Sequence, residues 1–265
     1  MGGERKEYGA MKVSLEGRTA IVTGGGSGLG LGYAQALAGA GAAVAVTGRR
    51  QEPLEQCVAA IEKEGGKALA VTCDQRSRDQ VEATVQQVVD WGEKVDILVN
   101  NAGIYPPGIF LAVEEEQWLD VMDTNINGPF RYSQVCARIM AENGHGRIIN
   151  ILSPSAILGF AMVSAYGTSK GALASMTRVM AAELGPMGIT VNSLTPGVSA
   201  TETFVNIYTQ VGVDMMAKGL PLARACENDD TMGALLLLAS DEGSYITGTN
   251  ICIDGGMTST FSLGG

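Results

Sequence analysis

Thr23-Gly24-Gly25-Gly26-Ser27-Gly28-Leu29-Gly30 is the stretch that decides the fold, because it joins an apolar run to an amphipathic one through a turn made almost wholly of glycine. Upstream, Arg18–Thr23 reads as a first strand. Downstream, Gly28–Ala40 reads as a helix that buries Ala and Leu on one face. Glycines 24, 28 and 30 give Gly-x-x-x-Gly-x-Gly in place of the strict Gly-x-Gly-x-x-Gly spacing. The physical logic is the same: glycine lets the backbone turn sharply and approach a pyrophosphate at a helix N-terminus, where free N–H groups point outward. Gly24, Ser27, Gly28, Leu29 and Gly30 are therefore candidate dinucleotide contacts.

The same alternation continues along the chain. Strands are expected at Ala43–Thr47, Ala68–Cys73, Val95–Val99, Arg147–Leu152, Thr190–Leu194 and Asn250–Ile253. Helices are expected at Glu52–Glu64, Arg78–Trp91, Glu115–Glu142, Ser164–Leu184 and Thr231–Ala239. The strands are apolar throughout instead of alternating, as when helices cover both faces of a parallel sheet. The pattern predicts an α/β fold, a single-domain Rossmann fold with a doubly wound seven-stranded parallel sheet and helices on both faces. Residues 15–265 form that domain, behind an extension over residues 1–14.

The end of the second strand bears on the dinucleotide. A carboxylate there would bind the ribose 2′-hydroxyl of NAD. This chain has Thr47-Gly48-Arg49-Arg50. Guanidiniums suit bidentate phosphate contact, so Arg49, with Arg50 beside it, favours the 2′-phosphate of NADP(H) and leaves NAD(H) as the alternative.

Composition narrows the classes. With 265 residues, 46% hydrophobic and 17% charged, the chain is of large single-core size and too apolar for disorder. A net charge of −10 argues against nucleic acid or an anionic membrane as partner. The five cysteines are scattered without Cys-x-x-Cys, which suits a reducing compartment better than disulfides or zinc. One histidine, His145, leaves no multi-histidine metal site and no Ser-His-Asp triad. Met1 to Lys12 has no apolar signal region, and no apolar run reaches membrane-spanning length. These features place the protein in the cytoplasm, acting on a small molecule without a metal.

Tyr166-Gly167-Thr168-Ser169-Lys170 sets a phenol and an ammonium four residues apart, hence on one helix face. A neighbouring cation favours the phenolate and is expected to lower the tyrosine pKa towards working pH. Such a phenol exchanges a proton with a carbonyl or alcohol oxygen, and Ser153, thirteen residues upstream, can hold the same oxygen.

With these residues in view, the chain resembles the short-chain dehydrogenase/reductase family from Leu15 to Met257. Thr23-Gly24-x-x-x-Gly28-x-Gly30 is similar to its cofactor motif. Asp74 stands where the family binds adenine through a carboxylate, and Asn100-Asn101-Ala102-Gly103 where its motif ends the fourth strand and supports the cofactor. Asn125 matches the asparagine that holds a water in the family's proton relay, and Ser153, Tyr166 and Lys170 match its catalytic set. Pro196-Gly197-Val198, with Thr201 beyond, resembles the loop that meets the nicotinamide carboxamide, and Asp254-Gly255-Gly256 the C-terminal signature. The resemblance implies hydride transfer between nicotinamide and a substrate carbon, with Tyr166 and Lys170 also touching the cofactor. It further implies a homotetramer or homodimer. Many NADP-using members carry a basic residue just before the second loop glycine, where this chain has Ser27.

Three segments are expected beside the site: Ile104–Val113, Pro154–Val163 and Val198–Leu220, the last a mobile lid. They offer Tyr105, Pro106, Phe110, Ile157, Phe160, Val198, Phe204, Tyr208, Met215 and Met216, with Lys218 their one cation. The expected activity is therefore NADPH-dependent reduction of a neutral, fairly apolar ketone, or the reverse oxidation of the alcohol. The alternatives are an NAD-dependent dehydrogenase of a sugar, polyol or hydroxysteroid, and a dinucleotide-binding protein without catalysis.

Overall fold

Apolar runs without alternation have to be covered on both faces, and they are. A computed structural model describes residues 13–260. Of the extension expected over 1–14, residues 1–12 lie outside the described residues. Among the described residues seven strands are present: β1 (Thr19–Thr23), β2 (Ala43–Gly48), β3 (Lys67–Thr72), β4 (Ile97–Asn100), β5 (Gly146–Ile151), β6 (Ile189–Pro196) and β7 (Asn250–Ile253). All pair in parallel, in the order β3-β2-β1-β4-β5-β6-β7. Every residue of β1, β4, β5 and β6 is buried, while the edge strands β3 and β7 are partly open to solvent.

Helices α1 (Gly28–Gly39), α2 (Gln51–Lys63) and α8 (Asn228–Ala239) cover one face; their Tyr33, Leu37, Leu54, Ile61 and Leu235 pack on Val22, Val44 and Ile97. On the other face, α3 (Arg78–Gly92), α5 (Gly128–Glu142) and α6 (Ser164–Leu184) bring Val81, Tyr132, Met140 and Ala181 onto Ile21, Leu98 and Ile148. Strand order reverses between β1 and β4, so a crevice opens beyond the carboxyl ends of these two strands.

A buried polar ladder braces the strands beneath that crevice. Asn100 Nδ2 donates to Asn150 Oδ1 at 2.8 Å and to Ser133 Oγ at 3.0 Å, and Asn150 Nδ2 donates to Thr177 Oγ1 at 2.9 Å. Inside a sheet core such groups are tolerated because most of their donors and acceptors meet one another, the Asn100 Oδ1 being the atom left without a partner.

Two expectations, one of a single long helix and one of a lid loop, need correction. The helix foreseen over Glu115–Glu142 is two helices, α4 (Glu115–Met122) and α5, joined by a π turn over Asp123–Asn127. The lid segment foreseen at Val198–Leu220 is largely a helix, α7 (Glu202–Lys218), bent at Thr209 (φ 60°, ψ 159°). Its run of β-branched residues and Gly212 gives weak helix propensity, and packing over the cavity described below supplies the rest.

Candidate active site

The glycine turn is fixed from beneath by the end of β4. Thr23 Oγ1 accepts the backbone N–H groups of Asn101 and Ala102, each at 3.0 Å. Asn101 Nδ2 in turn donates to the carbonyls of Thr23 at 3.0 Å and Gly24 at 3.4 Å. Gly24 has φ +67°, in the left-handed region. Gly30 serves close packing: a Cβ there would lie 2.3 Å from the Gly24 carbonyl oxygen. Within α1 the first bond is from Leu31 N to Ser27 O, which leaves the N–H groups of Gly28, Leu29 and Gly30 without intrahelical acceptors.

Of these residues Gly28 and Leu29 border a groove of about 680 Å³ that runs past Gly103, Asp74 and the exposed Arg49 and Arg50, and Gly30 is buried behind them. The residues present fit a dinucleotide: a helix N-terminus with free N–H groups, a glycine cradle and, at the far rim, two guanidiniums that pair with no acid among the described residues. Asp74 is less available than the sequence implies. Arg76 Nε bonds both its oxygens, at 3.0 and 3.1 Å, and a second guanidinium nitrogen bonds Oδ2 at 2.7 Å. Hydrogen bonding to Arg76 holds the Asp74 carboxyl below its ordinary range. Arg76 also pairs with Asp120 at 2.7 Å, so a base seated here would meet a clamped ion pair. Sequence reading passed over Arg76; the signal available was Asp74-Gln75-Arg76 after a strand, an Asx turn closed by Arg76 N on Asp74 Oδ1.

Ser153 follows β5, and α6 carries Tyr166 and Lys170 to the same end of the sheet. Lys170 is only 5% exposed. Its Nζ donates to the Ile151 carbonyl at 2.7 Å and lies 5.7 Å from the centre of the Tyr166 ring. Ser153 Oγ accepts from Ser155 Oγ at 3.0 Å, a neighbour that sequence reading did not single out.

The electrostatics depart from the simple expectation. Burial pushes Tyr166 up to about 12, with the Ser153 hydroxyl pulling weakly the other way. Burial also brings Lys170 down to about 8. Loss of water is the dominant cause at both groups. The phenol therefore keeps its proton at neutral pH, contrary to the lowered tyrosine foreseen from the spacing. The ammonium stands close to its own titration.

Asn125 is brought to the same place by the π turn, whose wider coil aims the side chain inward. Its Oδ1 accepts Ile104 N at 2.9 Å, while Nδ2 donates to Ile104 O at 3.0 Å and Ser169 Oγ at 3.1 Å. The amide thus spends both donors and one lone pair on protein, which leaves its side chain little to offer the water expected of it.

Pro196 ends β6, and Gly197 turns away so tightly that a Cβ would come 2.7 Å from the Asp254 Cα. Val198 is buried, and Thr201 caps α7 by accepting Phe204 N at 3.4 Å. Thr201 also borders the groove beside Gly28.

Above Ser153 and Tyr166 lies a cavity of about 400 Å³. Tyr105, Phe160, Val198, Phe204, Tyr208 and Met216 line it, as the sequence implied. Phe110, Ile157 and Met215 instead lie 74%, 49% and 70% exposed and do not line it, Pro106 borders the dinucleotide groove, and Lys218 faces solvent away from the cavity. Among the described residues no charged side chain lines the cavity. None of the described helices is long and apolar enough to cross a membrane.

Known proteins resemble this arrangement along nearly its whole length. The family model described as enoyl-(acyl carrier protein) reductase matches residues 24–258. A short-chain reductase protein, NovJ, of Streptomyces niveus is 37% identical over 89% of this chain and 92% of its own. The 3alpha-hydroxysteroid dehydrogenase of Mediterraneibacter gnavus is 35% identical over 92% of this chain and 98% of its own. The structure of a gluconate 5-dehydrogenase from Burkholderia cenocepacia J2315, in complex with NADP and tartrate, superposes with a TM-score of 0.90 at 34% identity, covering 94% of this chain and 98% of that one.

Proposed function

Because the chain belongs to the short-chain dehydrogenase/reductase family, whose members act on CH–OH and C=O groups, we propose that it is an NADPH-dependent reductase of neutral, fairly apolar ketones that also runs in reverse on the alcohols. The observation that carries the reading is that Ser153 and Tyr166 line an uncharged cavity that adjoins the dinucleotide groove, with the buried Lys170 Nζ 5.7 Å from the Tyr166 ring centre. Nicotinamide, when bound, supplies or accepts the hydride.

The chain's own residues do the rest. The N–H groups of Gly28, Leu29 and Gly30 would hold the pyrophosphate, with Gly24 and Ser27 completing the turn. Arg49, supported by Arg50, would hold a 2′-phosphate, and Asp74 with Arg76 would flank the adenine. Asn101, Ala102 and Gly103 line the groove, and Pro196, Gly197, Val198 and Thr201, which border the adjoining cavity, would meet the nicotinamide. Lys170 would hold ribose hydroxyls through an ammonium that is charged below pH of about 8. Ser153 orients the substrate oxygen, and Tyr166 gives that oxygen its proton. A phenol that stays protonated at neutral pH is a ready donor, which supports reduction as the working direction. Asn125 positions Ile104 and the loop that follows β4.

The uncharged lining supports a neutral substrate, since a carboxylate or phosphate is normally met by a fixed cation. Leu119 and Phe130, 57% and 44% exposed on α4 and α5, support a homodimer or homotetramer. The acidic surface and reduced cysteines fit the cytoplasm.

The test is a panel of ketones, sugar acids and acyl-carrier thioesters, followed by NADPH and NADH absorbance. Neutral ketones with NADPH should give the highest kcat/KM, and Arg49→Asp should raise the KM for NADPH at least ~10-fold while sparing NADH. Preference for an anionic substrate refutes the substrate class. An Arg49→Asp variant with both cofactor KM values unchanged refutes the phosphate role.

A further inference from the structure

The dinucleotide groove and the catalytic cavity have Leu29, Tyr105 and Thr201 in common. Tyr105 stands at this seam on the loop after β4. Its ring packs edge to face on Tyr166, with centroids 4.5 Å apart and planes at 76°, and tilts against Phe204 at 6.0 Å. Its hydroxyl shares a 2.6 Å hydrogen bond with the Tyr208 hydroxyl, across to α7.

The polar lining of the cavity is short. Ser153 and Tyr166 are assigned to the reacting oxygen, and Ser155 bonds Ser153. Ser199 Oγ donates to the Gly197 carbonyl, and Thr201 Oγ1 caps α7. Among the described residues that line the cavity, Tyr105 and Tyr208 bond through their hydroxyls to each other and to no other group. A substrate whose carbonyl meets Tyr166 lies against these two rings. A plain hydrocarbon ketone that wedges them apart strands two phenols in an apolar lining, which is unfavourable. A second oxygen on the substrate, able to accept from one phenol, removes that penalty.

We propose that Tyr105 and Tyr208 together determine specificity, by selecting ring ketones that carry a second hydroxyl or carbonyl oxygen remote from the reacting one. The inference rests on the neutral-ketone reading above and narrows it. The aromatic enclosure formed by Tyr105, Tyr166, Phe204 and Tyr208 matches a flat or cyclic skeleton. A site built to hydrogen-bond an oxygen discriminates strongly against the analogue that lacks it, whereas apolar surface alone does not.

The experiment measures kcat/KM for cyclohexanone against 4-hydroxycyclohexanone, and for 1-tetralone against 6-hydroxy-1-tetralone, in the wild type and in Tyr105→Phe and Tyr208→Phe. Both substitutions keep the ring and remove only a hydroxyl, and the ratio within a pair cancels any general loss of folded enzyme. The wild type should prefer the oxygenated member of at least one pair by about 10-fold or more, and each variant should bring that ratio below about 3-fold. A wild type without preference, or a preference unchanged in both variants while all ketones turn over, overturns this inference alone. Turnover of no ketone in either pair overturns the parent reading and this one with it.

Discussion

Lys170→Met should make the protein more stable as it removes activity, and the gain should depend on pH in a way that identifies its cause. The amine is buried, and burial takes its pKa from 10.5 to about 8. At roughly 1.4 kcal/mol per tenfold, holding it protonated in the fold costs about 3 kcal/mol at pH 7. Against this, methionine leaves the Ile151 carbonyl without its 2.7 Å donor, a loss of about 1–2 kcal/mol that pH does not alter. The sign follows from proton counting. Below pH 8 both folded and unfolded chains carry the proton, and the cost is present in full. Between pH 8 and 10.5 the unfolded chain keeps it and the folded chain does not, so wild-type stability rises with pH. The variant lacks this rise. Urea unfolding of both proteins at pH 7.5, 8.5 and 9.5 should therefore show the variant's advantage shrinking by about 2 kcal/mol across the series. A stability difference that stays constant with pH would mean that no buried ammonium is present and would remove the electrostatic account of the site.

Two further substitutions probe the chemistry and the frame. Tyr166→Phe should lower kcat by at least ~10²-fold, measured with any ketone the wild type reduces, because the proton donor is lost while the ring that packs on Tyr105 remains; near-normal turnover would take the phenol out of the reaction. Gly30→Ala should cost about 1–3 kcal/mol and weaken dinucleotide binding, since its Cβ would lie 2.3 Å from a backbone oxygen. Gly39→Ala in the same helix meets nothing within 4 Å and should gain about 0.5 kcal/mol; equal effects at the two positions would contradict the packing argument.

The parts of the molecule legible in the sequence are those where one residue type has one physical use. Unbroken apolar runs specify strands buried on both faces, and glycines between strand and helix specify the turn at Gly24–Gly30. The Tyr166 and Lys170 pair was legible as geometry, because helix periodicity fixes which side chains share a face. Its ionisation was not. Spacing shows that an ammonium is near, but only the packed structure shows how completely water is removed. The π turn at Asp123–Asn127 was hidden because one extra residue in a coil leaves almost no trace in periodicity, although it alone decides that Asn125 points inward. Helix α7 was hidden for another reason: Val, Ile and Thr residues and Gly212 disfavour a helix locally, and the aromatic contacts that hold it lie on distant loops. Arg76 shows the same limit for charge, since its hold on Asp74 depends on where both side chains end.

The Asn101 amide clasps the carbonyls of Thr23 and Gly24, four residues before Tyr105 enters the cavity. One side chain therefore belongs at once to the phosphate turn and to the strand end that leads to the mouth of the reaction chamber. Should a bound dinucleotide order the turn, Asn101 is a path by which that order would reach the mouth, and thermodynamic reciprocity would then require the same free energy to return when the second ligand arrives first. Coupled affinities for the two reactants, each measured at a stated occupancy of the other, are the expected outcome of that arrangement.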